Sequence, residues 1–166
     1  HEVSKVELRV IGGTWSSYPR RYQKWFVKQC LMAMNEFKKQ IKDKWVQDVS
    51  NITITQDVES AYGTDTVNTV VIKPLDGHIS WDEVIDRNEV GDVRCIGVNI
   101  ETRPDHISRD EVKWLRDLGV TKVEMGVQTT DDKVQEITKR GHTVQEVIGA
   151  TKLLKDSGFK IGYHMM

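Results

Sequence analysis

Glu101 stands directly behind the apolar run Cys-Ile-Gly-Val-Asn-Ile (95–100) and just ahead of Thr102-Arg103-Pro104. A carboxylate in that place could accept hydrogen bonds from an amine or from ribose hydroxyls; an internal pair with Arg103 is the competing assignment. Gln128 closes the run Lys122–Val127 and carries both a donor and an acceptor. That suits a ribose or a carboxylate, or else serves to pin its own loop. Arg140, in Arg140-Gly141-His142-Thr143, precedes a helix start and could hold a carboxylate bidentately. Gly12-Gly13-Thr14 follows another apolar alternation. The glycine pair is a turn in its own right, and without side chains it also lets a ligand come close to the backbone. His164 ends the run Phe159–Tyr163 and by itself reads as a packed strand-end histidine rather than a base. Together these polar ends describe a site for a zwitterionic, ribose-bearing ligand.

Such residues meet only if the runs before them are parallel strands whose carboxyl ends face one place. Val6, Leu8 and Val10 alternate with Glu7 and Arg9, the period of a strand. Pro19 then opens a helix at no cost, because its missing N–H would be unpaired in the first turn. Tyr22, Phe26, Cys30, Ala33, Phe37 and Ile41 recur at helical spacing and predict its inward stripe. Ser80 with Glu83, Ser108 with Glu111, and Thr143 with Glu146 have the spacing of capping boxes. The second of these helices carries Val112, Leu115 and Leu118 and stops at Gly119. A short helix is predicted around Asp131–Thr138. The last helix should turn Val144, Val147, Ile148, Thr151 and Leu154 inward before Gly158. Strand and helix therefore alternate around four main strands, which gives an α/β layer or barrel with right-handed crossovers. A closed eight-unit barrel needs about 250 residues, so this one is incomplete. Residues 51–56 and 66–73 are rich in Val, Ile and Thr about the turn Tyr62-Gly63-Thr64-Asp65 and read as a β-rich, hairpin-like insertion at about 46–69.

Hydrophobic residues at 38% and charged residues at 30% are the balance of a packed domain, and no apolar run is long enough to span a membrane. The absence of an initiator Met and the apolar ending Tyr163-His164-Met165-Met166 suggest a piece of something longer. Cys30 and Cys95 have no partner at ligand spacing, so no metal box is read and none of the candidate residues is a metal ligand. They read as small buried thiols of a reducing cytoplasm. The net charge of −1 hides an asymmetry: Arg20–Lys44 holds eight bases against two acids, and Trp45–Val93 ten acids against two bases. Arg20, Arg21, Lys24 and Lys28, interleaved with Tyr22, Trp25 and Phe26, could touch nucleic-acid phosphates; a solvated helix face is the alternative.

Val-Ile-Gly-Gly-Thr (10–14), Cys-Ile-Gly-Val-Asn-Ile-Glu-Thr-Arg-Pro-Asp (95–105), Val-Glu-Met-Gly-Val-Gln (123–128), Arg-Gly-His-Thr (140–143) and Lys-Asp-Ser-Gly-Phe-Lys-Ile-Gly-Tyr-His-Met-Met (155–166) occur in this order. The set resembles the radical S-adenosylmethionine (SAM) domain of the catalytic subunit of Elongator. That resemblance implies a partial (βα) barrel over residues 1–166, a [4Fe-4S] cluster and SAM. It further implies reductive cleavage of SAM to a 5′-deoxyadenosyl radical, hydrogen abstraction from an acetyl group supplied by acetyl-CoA, and addition to carbon 5 of the wobble uridine of tRNA.

By the same resemblance, Gly12 and Gly13 contact the methionine amino group of SAM. Thr14 stands where the wider superfamily has Glu. Glu101, Gln128 and Arg140 match positions that hold the ribose and methionyl portions, and His164 lines the cavity. The three cluster cysteines belong on a loop upstream, and the acetyltransferase domain follows the barrel. The segment alone is therefore expected to be a cofactor-binding wall without activity, working with tRNA and with other Elongator-type subunits or a second copy. The competing expectations are a related radical enzyme acting on another substrate, such as a porphyrin precursor, and a non-catalytic tRNA-binding module.

Overall fold

A computed structural model describes residues 3–43 and 79–166. The proposed insertion at 46–69, with its two strands and turn, lies outside the described residues. Strands β1 (Lys5–Val10), β2 (Arg94–Thr102), β3 (Lys122–Gln128) and β4 (Lys160–Met165) form one parallel sheet in the order β1-β2-β3-β4. Helices α1 (Arg20–Asp43) and α2 (Trp81–Glu89) lie between β1 and β2 in the chain, and α3 (Arg109–Asp117) between β2 and β3. A short α4 (Asp132–Ile137) and α5 (Val144–Asp156) precede β4. This is the alternation expected from the sequence, with single 3-10 turns added at Trp15–Ser17 and Pro104–His106. Among the described residues, no helix is long and apolar enough to cross a membrane.

The strand register sorts side chains into two faces. Val10, Ile100, Val123 and Ile161 are Cα partners in one row across the sheet. They pack into the core with Leu115 and Leu118 around α3, Leu154 of α5, and Val27 and Leu31 of α1. The neighbouring rows are polar: Arg9, Asn99, Lys122 and Lys160 in one, Glu101, Glu124 and Gly162 in the next. Successive strand residues point to opposite faces, so the same four strands supply both a helix-covered core and a charged surface.

Two inward faces differ from expectation. On α1 the buried side is Gln23, Val27 and Leu31, with Met32, whereas Tyr22 and Phe37 are 41% and 38% exposed. The stripe is displaced by one residue because a polar side chain, Gln23, starts it. Gln23 is hidden at little cost: its Nε2 donates to the carbonyls of Trp15 and Tyr18, both at 2.9 Å, and its Oε1 accepts from Trp114 Nε1 at 2.6 Å. On α5, Ala150 and Leu154 are buried, while Ile148 faces outward.

The caps form at all three predicted starts, but the reciprocal box closes at one. Thr143 Oγ1 accepts from the Glu146 N–H, and Glu146 Oε2 accepts from the Thr143 N–H. At Ser80 and Ser108 the hydroxyl arm forms, to the N–H of Glu83 and of Glu111. The two carboxylates are drawn instead to Arg87 and Arg20.

Candidate functional site

The strand ends of β1, β2 and β3 and the loop before α5 enclose a cavity of about 310 Å3. Gly13, Thr14, Glu101, Gln128 and Arg140 line it, together with Thr102, Arg103, Gly126, Thr138, Lys139 and His142. Five of the seven residues singled out for a ligand thus share one wall. The other two touch the site through Glu101. Gly12 donates its N–H to Glu101 Oε2 at 3.1 Å, and His164 Nδ1 lies 3.1 Å from Glu101 Oε1. Arg103 does not pair with Glu101. It forms a two-pronged bond to Asp105, with both contacts at 2.9 Å, leaving the Glu101 carboxylate to the cavity side.

Local backbone explains why these residues sit there. Gly12 and Gly13 have φ of +100° and +86°, a conformation side chains rarely adopt, so the chain turns sharply at the end of β1. Gln128 takes φ +69° without being glycine. Strain of that kind persists where neighbours fix it, and here the Gln128 carbonyl accepts the Met166 N–H at 3.0 Å. The Gln128 amide folds back over Gly126, where an added Cβ would stand 3.0 Å from Nε2. Arg140 reaches Met166 Sδ at 3.2 Å.

Beneath the cavity lies a charge cluster that spacing arguments missed. Glu124, 5% exposed, accepts at Oε1 from Lys122 (2.7 Å), Asn99 (2.8 Å) and Arg9 (3.2 Å), and at Oε2 from His164 Nε2 (2.7 Å). Lys122 and Asn99 chiefly, with His164 behind them, hold its carboxyl down to about 2 against the desolvation that opposes them. His164 stands between two carboxylates, Nδ1 toward Glu101 and Nε2 toward Glu124, an arrangement that favours its protonated form. Its pKa is raised, first by Glu124 and then by Glu101. The signal was in the strand period: Glu124 lies two residues before Gly126 and four before Gln128, hence on their face.

The four cations suspected of nucleic-acid contact all fall in the first turns of α1. Arg20 pairs with Asp110 and lies over the Trp114 ring, and Lys28 donates to the Ile79 carbonyl. Lys24 stands over Trp81, and Arg21 is exposed. A cavity of about 80 Å3 lined by Gly12, Gly13, Tyr18, Tyr22 and Glu101 joins this end of α1 to the site.

Residues 20–166 match the Radical SAM superfamily. The chain belongs to that superfamily. That match starts after β1; the glycine turn reaches the site through the Gly12 N–H on Glu101. Over its whole length the chain is similar to the tRNA uridine(34) acetyltransferase of Methanocaldococcus jannaschii, with 36% identity over 24% of that protein. It is likewise similar to Elongator complex protein 3 of Homo sapiens, with 31% identity over 23%. The solved archaeal Elp3 of Methanocaldococcus infernus, with its N-terminus deleted (1-46), superposes on all of this chain with a TM-score of 0.72 and 36% identity, and 30% of that protein is covered. The chain spans about a quarter of the length of the curated relatives it matches.

Radical SAM proteins use SAM and a [4Fe-4S] cluster. The cavity fits the first: its size lies in the range of small-molecule sites, and a glycine turn, a carboxylate and an arginine line it together. The chain's own residues do not fit the second. Iron–sulfur clusters are held by several cysteine thiolates, and this chain has two cysteines, Cys30 and Cys95, both half-buried free thiols. Burial first, and then the nearby Cys95, pushes the Cys30 thiol up, away from the thiolate form.

Proposed function

We propose that this chain is the SAM-holding wall of an Elongator-type enzyme that forms 5-carboxymethyl-type uridine at the wobble position of tRNA. The convergence of Gly13, Thr14, Glu101, Gln128 and Arg140 on one cavity carries the reading. In it, Arg140 holds the methionyl carboxylate and the glycine turn meets the amino group. Glu101 and Gln128 take the ribose and amino ends. Bound SAM supplies the 5′-deoxyadenosyl group for radical chemistry, and the cluster ligands and acetyl-CoA site are contributed from beyond these 166 residues. tRNA, further Elongator-type subunits or a second copy, and a cytoplasmic setting belong to the same proposal; the full-length relatives named above support it.

The test is calorimetric titration of SAM into the full protein. Charge-assisted contacts are worth about 1.5–3 kcal/mol each. Glu101→Ala and Arg140→Ala should therefore each weaken binding by roughly ten- to a hundredfold. Unchanged affinity in both variants removes the assignment. Mass spectrometry of tRNA from a deletion strain should show loss of the carboxymethyl-type uridine. Retention of that nucleoside would favour a related radical enzyme with another substrate.

A further inference from the structure

Arg103 lines the cavity, yet its guanidinium is already engaged: Nε and Nη2 donate to Asp105 Oδ1 and Oδ2, both at 2.9 Å. Two parallel bonds fix the plane of the group as well as its place. Asp105 is itself set by the turn that follows β2. There the His106 N–H donates to the Arg103 carbonyl at 3.2 Å and the Ile107 N–H to that of Pro104 at 3.1 Å, with Pro104 buried. Arg103 Nη2 also stands 2.9 Å from where a Cβ on Gly141 would be. The tip of a long side chain ordinarily yields to such a contact. Here it would have to break the fork to Asp105 to do so.

Gly141 directly follows Arg140, the group assigned to the methionyl carboxylate. Among the described residues Arg140 has no carboxylate partner; its side chain touches Met166 Sδ at 3.2 Å, a weak acceptor. Its backbone is held on one side, where its N–H donates to the Gln135 carbonyl at 3.0 Å. On the other side the chain meets the Arg103 guanidinium at Gly141, before it reaches the cap at Thr143. We propose that Arg103, clamped by Asp105, is a positioning residue for Arg140: Gly141 rests against the fixed guanidinium, and this sets the direction from which Arg140 enters the cavity. The proposal rests on the SAM reading above and deepens it. Asp105 does not line the cavity, so it acts on a ligand there only through Arg103.

The probes are SAM and its decarboxylated form, which keeps the nucleoside, the sulfonium and the amino group and lacks the carboxylate. Each is titrated into the full protein by calorimetry, with Tm measured alongside. Wild type should prefer SAM by roughly ten- to a hundredfold, the worth of a charge-assisted contact at Arg140. Asp105→Ala should lose roughly three- to tenfold in affinity for SAM and nothing for the decarboxylated form, because the Arg140 contact is loosened and not removed. Arg103→Lys keeps a positive charge beside the cavity but cannot form the fork, and should behave as Asp105→Ala does. In an Arg140→Ala background, Asp105→Ala should cost nothing further. A general loosening of the fold would instead lower both affinities together. Equal loss for the two compounds, full SAM affinity in either single variant, or full additivity with Arg140→Ala overturns the proposal and leaves the SAM reading standing. A wild type that binds neither compound, or both equally, defeats the Arg140 assignment and the proposal with it.

Discussion

Glu101 and Glu124 are Cα partners on adjacent strands, and like charges directly opposite repel. His164 reaches one carboxylate with each ring nitrogen and cancels that repulsion while fastening β4 to β2 and β3. The sign of the pH dependence follows from the two shifts. The carboxyl of Glu124, lowered from 4.5 to about 2, contributes fully above pH 4.5 and loses its contribution as pH falls toward 2. His164 is raised above 6.5, so its contribution is complete below 6.5 and is lost as pH rises through its folded value. The cluster is therefore strongest between pH 4.5 and 6.5. His164→Gln should cost about 1 kcal/mol there, discounted because the histidine is partly exposed. The gap in Tm from wild type should narrow on both sides of that window, and a gap constant with pH would show that the imidazolium has no such role. A second reading comes from NMR: in Glu124→Gln the titration of His164 should move down toward 6.5.

At the scale of elements, legibility in the sequence followed how local the cause was. Thr143 and Glu146 carry a complete signal within four residues, and the box forms as read. Ser108 and Glu111 carry the same signal, but Arg20, from a helix far away in sequence, draws the Glu111 carboxylate off. The inward face of α1 differs for a similar reason: beside the local carbonyls of Trp15 and Tyr18, the indole N–H of Trp114 that completes the bonding of Gln23 comes from a helix far away in sequence. The strand ends were legible because apolar runs announce where they stop, which brought Gly13, Glu101, Gln128 and Arg140 into one cavity. Glu124 and Asn99 were not, since polar residues inside such runs look like interruptions until the period of two is applied. The cap at α5 gives a clean test. Thr143→Ala removes the hydroxyl that accepts from the Glu146 N–H and should cost about 1 kcal/mol. Because Arg140, which lines the cavity, lies three residues before the cap, the same variant should also weaken SAM binding, measured by calorimetry beside the Tm. Full stability in Thr143→Ala would mean the loop before α5 is held by Asp132 alone.

The molecule as a whole divides its charges by purpose. On the polar face of the sheet, Arg9, Lys122 and His164 are consumed by the buried Glu124. On α1, Arg20 and Lys28 are likewise committed inside the fold, Arg20 to Asp110 and Lys28 to the Ile79 carbonyl. The basic stretch therefore offers an outside partner less than its sequence count suggests. Arg21 is exposed, and Lys24 stacks on Trp81. Beside them Tyr22 and Trp25 are 41% and 47% exposed, their rings 5.8 Å apart. Exposed aromatic faces next to cations are what unpaired bases stack upon. If tRNA meets this end of α1, the two kinds of cation must separate on mutation. Arg21→Glu with Lys24→Glu should weaken tRNA binding by the full protein and lower the slope of log affinity against log salt by about 0.7–0.9 for each phosphate that is no longer neutralised. Arg20→Glu should act mainly on Tm, because it sets a third carboxylate against Asp110 and Glu111. A double variant with the wild-type salt slope would place the tRNA on another face and leave these aromatics as part of the packing around the glycine turn.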